Sequence, residues 1–360
     1  MLVFIHFSVP LVYYALLKVQ YNRPWSLVID KSYTPTVAII LPTYNESQWV
    51  KKRLDNLAAQ DYPKDRLKII VVDSASTDGT GSIVQGWITS NPNVDARLLH
   101  EPFRRGKFMA LARAVHLVPP AAVIVVFSDA DAYWEREALR EVASFFADPQ
   151  VGGVTGSIFY VDEAGQIQDD TYRAYYNFVR VAESRFRSTA VVNGPLLAIR
   201  RSLLLKIGLP DFPGSDDSAF GSLVALTGHR MIQIDSAVVM EYVRGDTFQR
   251  RVRRANCLVL NFRNTKRYAR RMNVYVPSAF DDVWRIEWWL TLINPWSLLA
   301  SVICLTAAAP LERSLTAAVM LIIGALALSI KSYRTWVLQQ VYLMFGAIRG
   351  LRNKDVIWNR

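Results

Sequence analysis

The sequence predicts an α/β fold with a mostly parallel sheet, helices on both faces, and membrane helices at both ends of the chain. Three observations lead there. Short β-branched apolar runs alternate with helical stretches over residues 31–245. The polar residues cluster directly after those runs. The long uncharged segments lie near the two termini, in a chain that is 51% hydrophobic.

The runs come in order. Val37–Leu41 reads as a buried parallel strand by its β-branched density, and Glu46–Gln60 as a helix. Leu67–Val72 is a second strand, followed by a helix over Ser76–Ser90. Ala96–His100 is a third, followed by a helix over Lys107–Leu117, and Ala122–Phe127 is a fourth. A β-α-β-α-β-α-β order argues for a parallel sheet covered on both faces. Ligands on such sheets bind beyond the carboxyl ends of the strands.

Residues 1–17 are almost wholly apolar and Lys18 follows, which predicts an uncleaved anchor over residues 1–19 rather than a cleaved leader. Leu290–Ala309 and Leu315–Ile330 carry no charge and flank the connector Pro310–Ser314, which predicts a transmembrane hairpin over 288–331. Basic residues flank the outer ends of both segments. The positive-inside tendency therefore places the connector outside and the large domain of residues 31–245 on the cytoplasmic side. Thr335–Ile348 is short and holds two glutamines; it reads as an interfacial helix opening a C-terminal amphipathic region and tail over 332–360.

The net charge is +11, and between Arg244 and Arg271 ten Arg or Lys residues stand against one acid, Asp246. Phe248, Val252, Ala255, Val259 and Phe262 recur there at helical spacing. Two readings of residues 246–285 follow: a basic interfacial helix on an anionic membrane, or a helix packed on the sheet with a solvated basic face. The stretch abuts the membrane hairpin, which argues against nucleic acid as its partner. Cys257 and Cys304 lie in unrelated segments and the four His residues are scattered, so neither a disulfide framework nor a zinc centre is indicated.

The strand ends carry the chemistry. Pro42-Thr43-Tyr44-Asn45 follows the first strand, Asp73-Ser74 the second, Gly106-Lys107 the third, and Asp129-Ala130-Asp131 the fourth. Asp129 and Asp131 stand at i and i+2, so both carboxylates can face one ligand. Hard oxygen ligands of this kind suit Mg²⁺ or Mn²⁺ bridging a diphosphate. Lys107, opening a helix, can neutralise phosphate oxygens, and Asp73 can accept from a base or ribose edge.

This set resembles the family-2 inverting glycosyltransferases of the GT-A fold, which include cellulose, chitin and hyaluronan synthases and polyprenyl-phosphate sugar transferases. The resemblance covers roughly residues 36–256 and implies a membrane-bound, metal-dependent hexosyltransferase acting on a nucleotide sugar, with a UDP preference. It implies donor contacts from Thr43, Tyr44, Asp73, Lys107 and Asp129, and a metal on Asp129 and Asp131. Many members carry a second Asp where Ser74 stands. Asn193-Gly194-Pro195 looks like the turn beneath the acceptor, or is an ordinary tight turn. Ser215-Asp216-Asp217 looks like the acidic pair whose second member, Asp217, is the catalytic base, with Asp216 on the acceptor side. Phe248–Arg254 resembles a Gln-x-x-Arg-Trp motif without its Trp, which argues against a processive polymerase; Arg250 with Arg253 or Arg254 would reach the diphosphate. The tyrosine stripe Tyr172, Tyr175, Tyr176 reads as core packing more readily than as an acceptor platform.

The function expected is transfer of a sugar to a hydroxyl of a lipid-linked or glycan acceptor at the cytoplasmic face. A polyprenyl-phosphate acceptor is the alternative, and a membrane nucleotidyltransferase on a similar sheet is the alternative from another class.

Overall fold

The structure, a computed structural model, describes residues 1–162, 166–168, 170–210, 212, 217–242 and 247–352. Helix α1 (Leu2–Tyr21) precedes β1 (Val37–Thr43), α2 (Val50–Ala58), β2 (Leu67–Asp73), α3 (Thr80–Ser90), β3 (Asp95–His100), α4 (Lys107–Val115) and β4 (Ile124–Ser128). Then come β5 (Ala132–Trp134), α5 (Ala138–Phe145), β6 (Val151–Val161), α6 (Thr171–Phe186), β7 (Leu196–Arg200), α7 (Arg201–Ile207), α8 (Asp217–Leu226) and β8 (Arg230–Tyr242). The chain continues as α9 (Phe248–Arg271), α10 (Phe280–Leu292), α11 (Asn294–Leu311), α12 (Leu315–Ala327) and α13 (Lys331–Arg352).

The eight strands form one sheet in the order β3-β2-β1-β4-β7-β6-β8-β5. Strands β1 to β4 are parallel, with Thr43 beside Asp73 and Asp73 beside His100 at their carboxyl ends. Strand β7 runs antiparallel to both β4 and β6, β8 follows β6 in parallel, and β5 runs antiparallel to β8. The sheet is thus mostly parallel, as expected, with two reversed strands.

The apolar runs are continuous because both faces of the sheet are covered. In β1, Val37, Ile39 and Leu41 enter the core shared with α2, α3 and α5. Ala38 and Ile40 enter the opposite core, built with α4, α7, α8, the C-terminal part of α9 and α10. The two helices expected at Glu46 and Ser76 start later, at Val50 and Thr80. The residues before them are tied into a turn pair: Asn45 Oδ1 accepts from Thr77 N, and Asp78 accepts from Ser47 N and Thr80 N.

Two helices, Leu2–Tyr21 and Asn294–Leu311, are long and apolar enough to cross a membrane. The hairpin differs from expectation in two ways. Ile293 separates α10 from α11, so residues 290–292 belong to α10, and Pro310 lies inside α11 with the turn falling at residues 312–314. The second leg is also short: α12 has 13 residues, and the chain then bends by 104° into α13. Helix α1 rests its later half on α6, with Tyr13 and Leu17 buried against Val179 and Ala182. Its Phe4, Leu11, Val12, Leu16 and Val19 stay exposed.

The basic helix also departs from the interfacial reading. Val252 and Ala255 are buried against Tyr342 of α13, and Phe262 packs on Trp284 of α10. Most of the apolar stripe therefore meets protein; Phe248 alone of the five is exposed. Helix α13 runs for 22 residues, longer than the segment expected at 335–348, and packs its Tyr342 and Phe345 on Phe248 of α9. Gly346 permits that approach, since an added methyl there would come within 2.6 Å of Asn256 N.

Candidate active site

A cavity of about 740 Å³ opens at the carboxyl ends of β1 and β4. Thr43, Tyr44, Ser74, Arg104, Lys107, Asp129, Asp131 and Asp217 line it there. From there it continues between α6, α9, α10 and α13, past Tyr172, Tyr176, Arg180, Glu287, Trp336 and Gln340.

Lys107 joins segments far apart in sequence. Gly106 precedes it with φ +92°, a conformation that favours glycine, and α4 starts at Lys107. The Lys107 ammonium donates to Asp129 Oδ1 at 2.8 Å and to both Asp217 carboxylate oxygens at 3.4 Å. Burial opposes its charge, but Asp129 and Asp217 outweigh this and hold it above the ordinary lysine range. Burial raises the Asp217 carboxyl, Lys107 pulls it down, and Asp129 pushes it up; the net direction is upward. Asp217 sits at the first turn of α8, directly over the Asn193-Gly194-Pro195 turn.

The other expected positions fall as follows. Thr43 donates to Val72 O at 3.1 Å, and the Arg104 guanidinium lies 3.9 Å from the centre of the Tyr44 ring. Asp73 lies beneath the cavity surface, held by Ser76 and by His100 Nδ1 at 3.0 Å. Ser74 donates to the buried Glu101 carboxylate at 2.7 Å. Asn193 does not offer its amide to the cavity: Nδ2 donates to Gln233 and Gly156 O, and Oδ1 accepts from Arg180. Arg250 and Arg253 both line the cavity, as do Arg251 and Arg254, so neither register of the basic motif is singled out. Asp216 lies outside the described residues. The tyrosine stripe both packs and lines the cavity: Tyr172, Tyr175 and Tyr176 face it, while Tyr172 packs on Tyr176 and Tyr175 stacks on Tyr14 of α1.

Several cavity residues were not legible in the sequence. Glu241, beside Ala132 in the β5–β8 pairing, brings a third carboxylate near Asp129 and Asp131. Arg173 of α6 donates to Tyr160 Oη at 2.8 Å and pairs with Glu241 at 3.4 Å. A buried acid pair, Glu183 of α6 and Glu287 of α10, hydrogen-bonds side chain to side chain, and Tyr13 of α1 donates to Glu183 at 2.5 Å. No local spacing in the sequence marks these residues.

Among the described residues no group of three or more His, Cys, Asp or Glu forms a protein cage for a metal. The donor set instead fits a hard cation held by two carboxylates, with diphosphate oxygens and water completing its shell. Asp129 keeps 28% of its side chain exposed toward the cavity for such a partner.

Comparison with known proteins identifies the family. Residues 38–208 match Glycosyl transferase family 2, and residues 124–331, more than half of the chain, match Glycosyl transferase family group 2. The chain belongs to glycosyltransferase family 2. It is an enzyme of that family, with a GT-A-like fold, using nucleotide sugars, and the nucleotidyltransferase alternative falls. A solved structure, mannosyltransferase PcManGT from Pyrobaculum calidifontis in complex with GDP-Man and Mn²⁺, is 38% identical. That match covers 98% of both chains with a TM-score of 0.85. Glycosyltransferase AglE of Haloferax volcanii is 26% identical over 175 residues, 48% of this chain and 55% of AglE. Poly(ribitol-phosphate) beta-N-acetylglucosaminyltransferase TarS of Staphylococcus aureus is 33% identical over 108 residues, 30% of this chain and 18% of TarS. The chain thus spans about half or less of the length of these two curated relatives.

Proposed function

We propose that this chain transfers a hexose, with inversion at the anomeric carbon, from a nucleoside diphosphate sugar to a hydroxyl of a lipid-linked or glycan acceptor. The observation that carries the reading is the meeting of Lys107, Asp129 and Asp217 on the lining of one cavity. Donor-side and acceptor-side groups face each other there, as a single displacement requires. GDP-mannose is the first donor to test, because PcManGT is similar over nearly the whole chain. A UDP-sugar, expected from the sequence, is the second.

Asp129 and Asp131 would hold Mg²⁺ or Mn²⁺, which offsets charge on the departing diphosphate when bound. Lys107 can turn its ammonium from the aspartates to a phosphate oxygen. Arg250, Arg253 and Arg254 add positive charge where the leaving group develops its own. Asp217 takes the proton of the attacking hydroxyl. The cavity's continuation toward α10 and α13 suits an acceptor approaching from the membrane side, with the catalytic domain cytoplasmic.

A polyprenyl-phosphate acceptor is the second reading, favoured by the arginines of α9 and by Lys331 along that same continuation. The test is nucleoside diphosphate release by detergent-purified protein, across GDP-mannose and UDP-sugars, with Mn²⁺ or a chelator and with either acceptor class. Release from GDP-mannose that needs metal and a hydroxyl acceptor is expected. Absence of release from every donor, or release driven only by lipid phosphate, would overturn the preferred reading.

A further inference from the structure

A polar ridge runs along helix α2 and into the turn that follows it. Arg53, Asn56 and Gln60 recur one turn apart, yet Arg53 and Gln60 are fully buried. The ridge grips the chain on both sides of Asp129-Ala130-Asp131. Arg53 Nη2 donates to Ser128 Oγ at 2.6 Å, immediately before the aspartates. Its guanidinium lies 4.3 Å from the centre of the Trp134 ring, just after them. Arg53 Nη1 also donates to Asn56 Oδ1, which accepts from Trp134 N at 3.0 Å, while Asn56 Nδ2 donates to Trp134 O at 2.9 Å. Gln60 continues the contact at Glu135 O and Leu139 N.

A buried guanidinium is costly to desolvate and is tolerated where opposite charge or full hydrogen bonding repays it. Its hydrogen bonds go to the neutral side chains of Ser128 and Asn56. Burial works against its charge, and the fields of Asp129, Tyr133 and Asp131 work for it. Two carboxylates two residues apart repel each other, and a fixed cation behind their strand offsets that repulsion.

We propose that Arg53 is a positioning residue for the divalent cation, holding the Ser128–Trp134 segment so that Asp129 and Asp131 present their carboxylates to the cavity together. The proposal rests on the reading of those aspartates as cation ligands. Residues that orient metal ligands from behind typically change metal affinity by about 10–100-fold when altered.

The experiment is a Mn²⁺ titration followed by electron paramagnetic resonance, on full-length protein in detergent, with GDP and with UDP. It compares the natural protein with Arg53→Lys, Arg53→Met, Ser128→Ala and Asp131→Asn, with thermal melting of each. Arg53→Lys is expected to melt cooperatively and to bind Mn²⁺ about 10–100-fold more weakly, with metal-free nucleotide binding unchanged. Arg53→Met should lose more. An Arg53→Lys protein that melts earlier but binds Mn²⁺ normally would overturn the proposal and leave Arg53 a packing residue. If neither Arg53 variant folds, Ser128→Ala decides, since it removes the anchor and keeps the cation: weaker Mn²⁺ binding supports the proposal and unchanged binding overturns it. Failure of the natural protein to bind Mn²⁺, or full binding by Asp131→Asn, would sink the cation assignment itself and this proposal with it.

Discussion

Gly194 lies directly beneath the Asp217 carboxylate, and a methyl group added at Gly194 would come within 1.8 Å of Asp217 Oδ2. No real contact is that short, so any side chain at 194 must displace Asp217. Gly194→Ala is therefore expected to cut turnover sharply, by about 10²-fold for a misplacement on the order of 1 Å, with metal-dependent nucleotide binding retained. Steady-state kinetics beside a nucleotide titration checks this. Normal turnover would place the reacting atoms elsewhere.

Asp217→Asn tests the base more directly. With a hydroxyl acceptor, kcat should fall by ~10²–10⁴-fold, and donor binding should survive because Lys107 and Asp129 remain. Near-normal turnover on a lipid phosphate, whose nucleophile is already charged, would promote the second reading.

The pH dependence follows from the same residue. Asp217 must be ionised to accept a proton, so kcat should rise with pH through its pKa. Burial raises that pKa, Lys107 opposes, and Asp129 adds to the rise, so the ascending limb should lie above the ordinary aspartate value of about 3.9. Lys107→Met removes the opposing charge and should move the midpoint higher still. The sign is opposite for stability: a carboxyl with a raised folded pKa is ionised at a cost to the fold as pH increases. A midpoint that moves down in Lys107→Met would contradict the pairing.

Asp131→Asn keeps the shape of a cation ligand and removes its charge. Activity should be lost and metal-dependent nucleotide binding weakened, with an unchanged melting temperature. Full Mn²⁺-dependent activity would remove Asp131 from the cation site.

Topology can be read at the turn between α11 and α12. Glu312 is exposed, and a cysteine there spares Ser314, whose hydroxyl accepts from Ala317 N to cap α12. The background needs Cys304 replaced, since it too is exposed. Glu312→Cys in intact cells should react with an impermeant thiol reagent. Labelling only after lysis would reverse the orientation and move the donor site off the cytoplasmic face.

What the sequence by itself determined is the parallel half of the sheet and the strand ends. Val37–Leu41 and Leu67–Val72 are short and rich in β-branched residues, which favours doubly covered strands, and their polar C-terminal residues then fall on one edge. That local logic also placed Thr43, Lys107, Asp129 and Asp131 around one cavity. Tertiary structure decided the rest, because periodicity shows that a helix face is apolar or polar but not what covers it. The stripe through Val252 and Phe262 reads as membrane-facing until α13 and α10 bury it. Nothing local in the sequence marks Arg53 as buried; β5 does so by bringing Trp134 over it. The contact of Lys107 with Asp217, 110 residues away, needs the reversed strand β7 to return the Asn193–Pro195 turn beneath the carboxylate, and no local pattern encodes that closure.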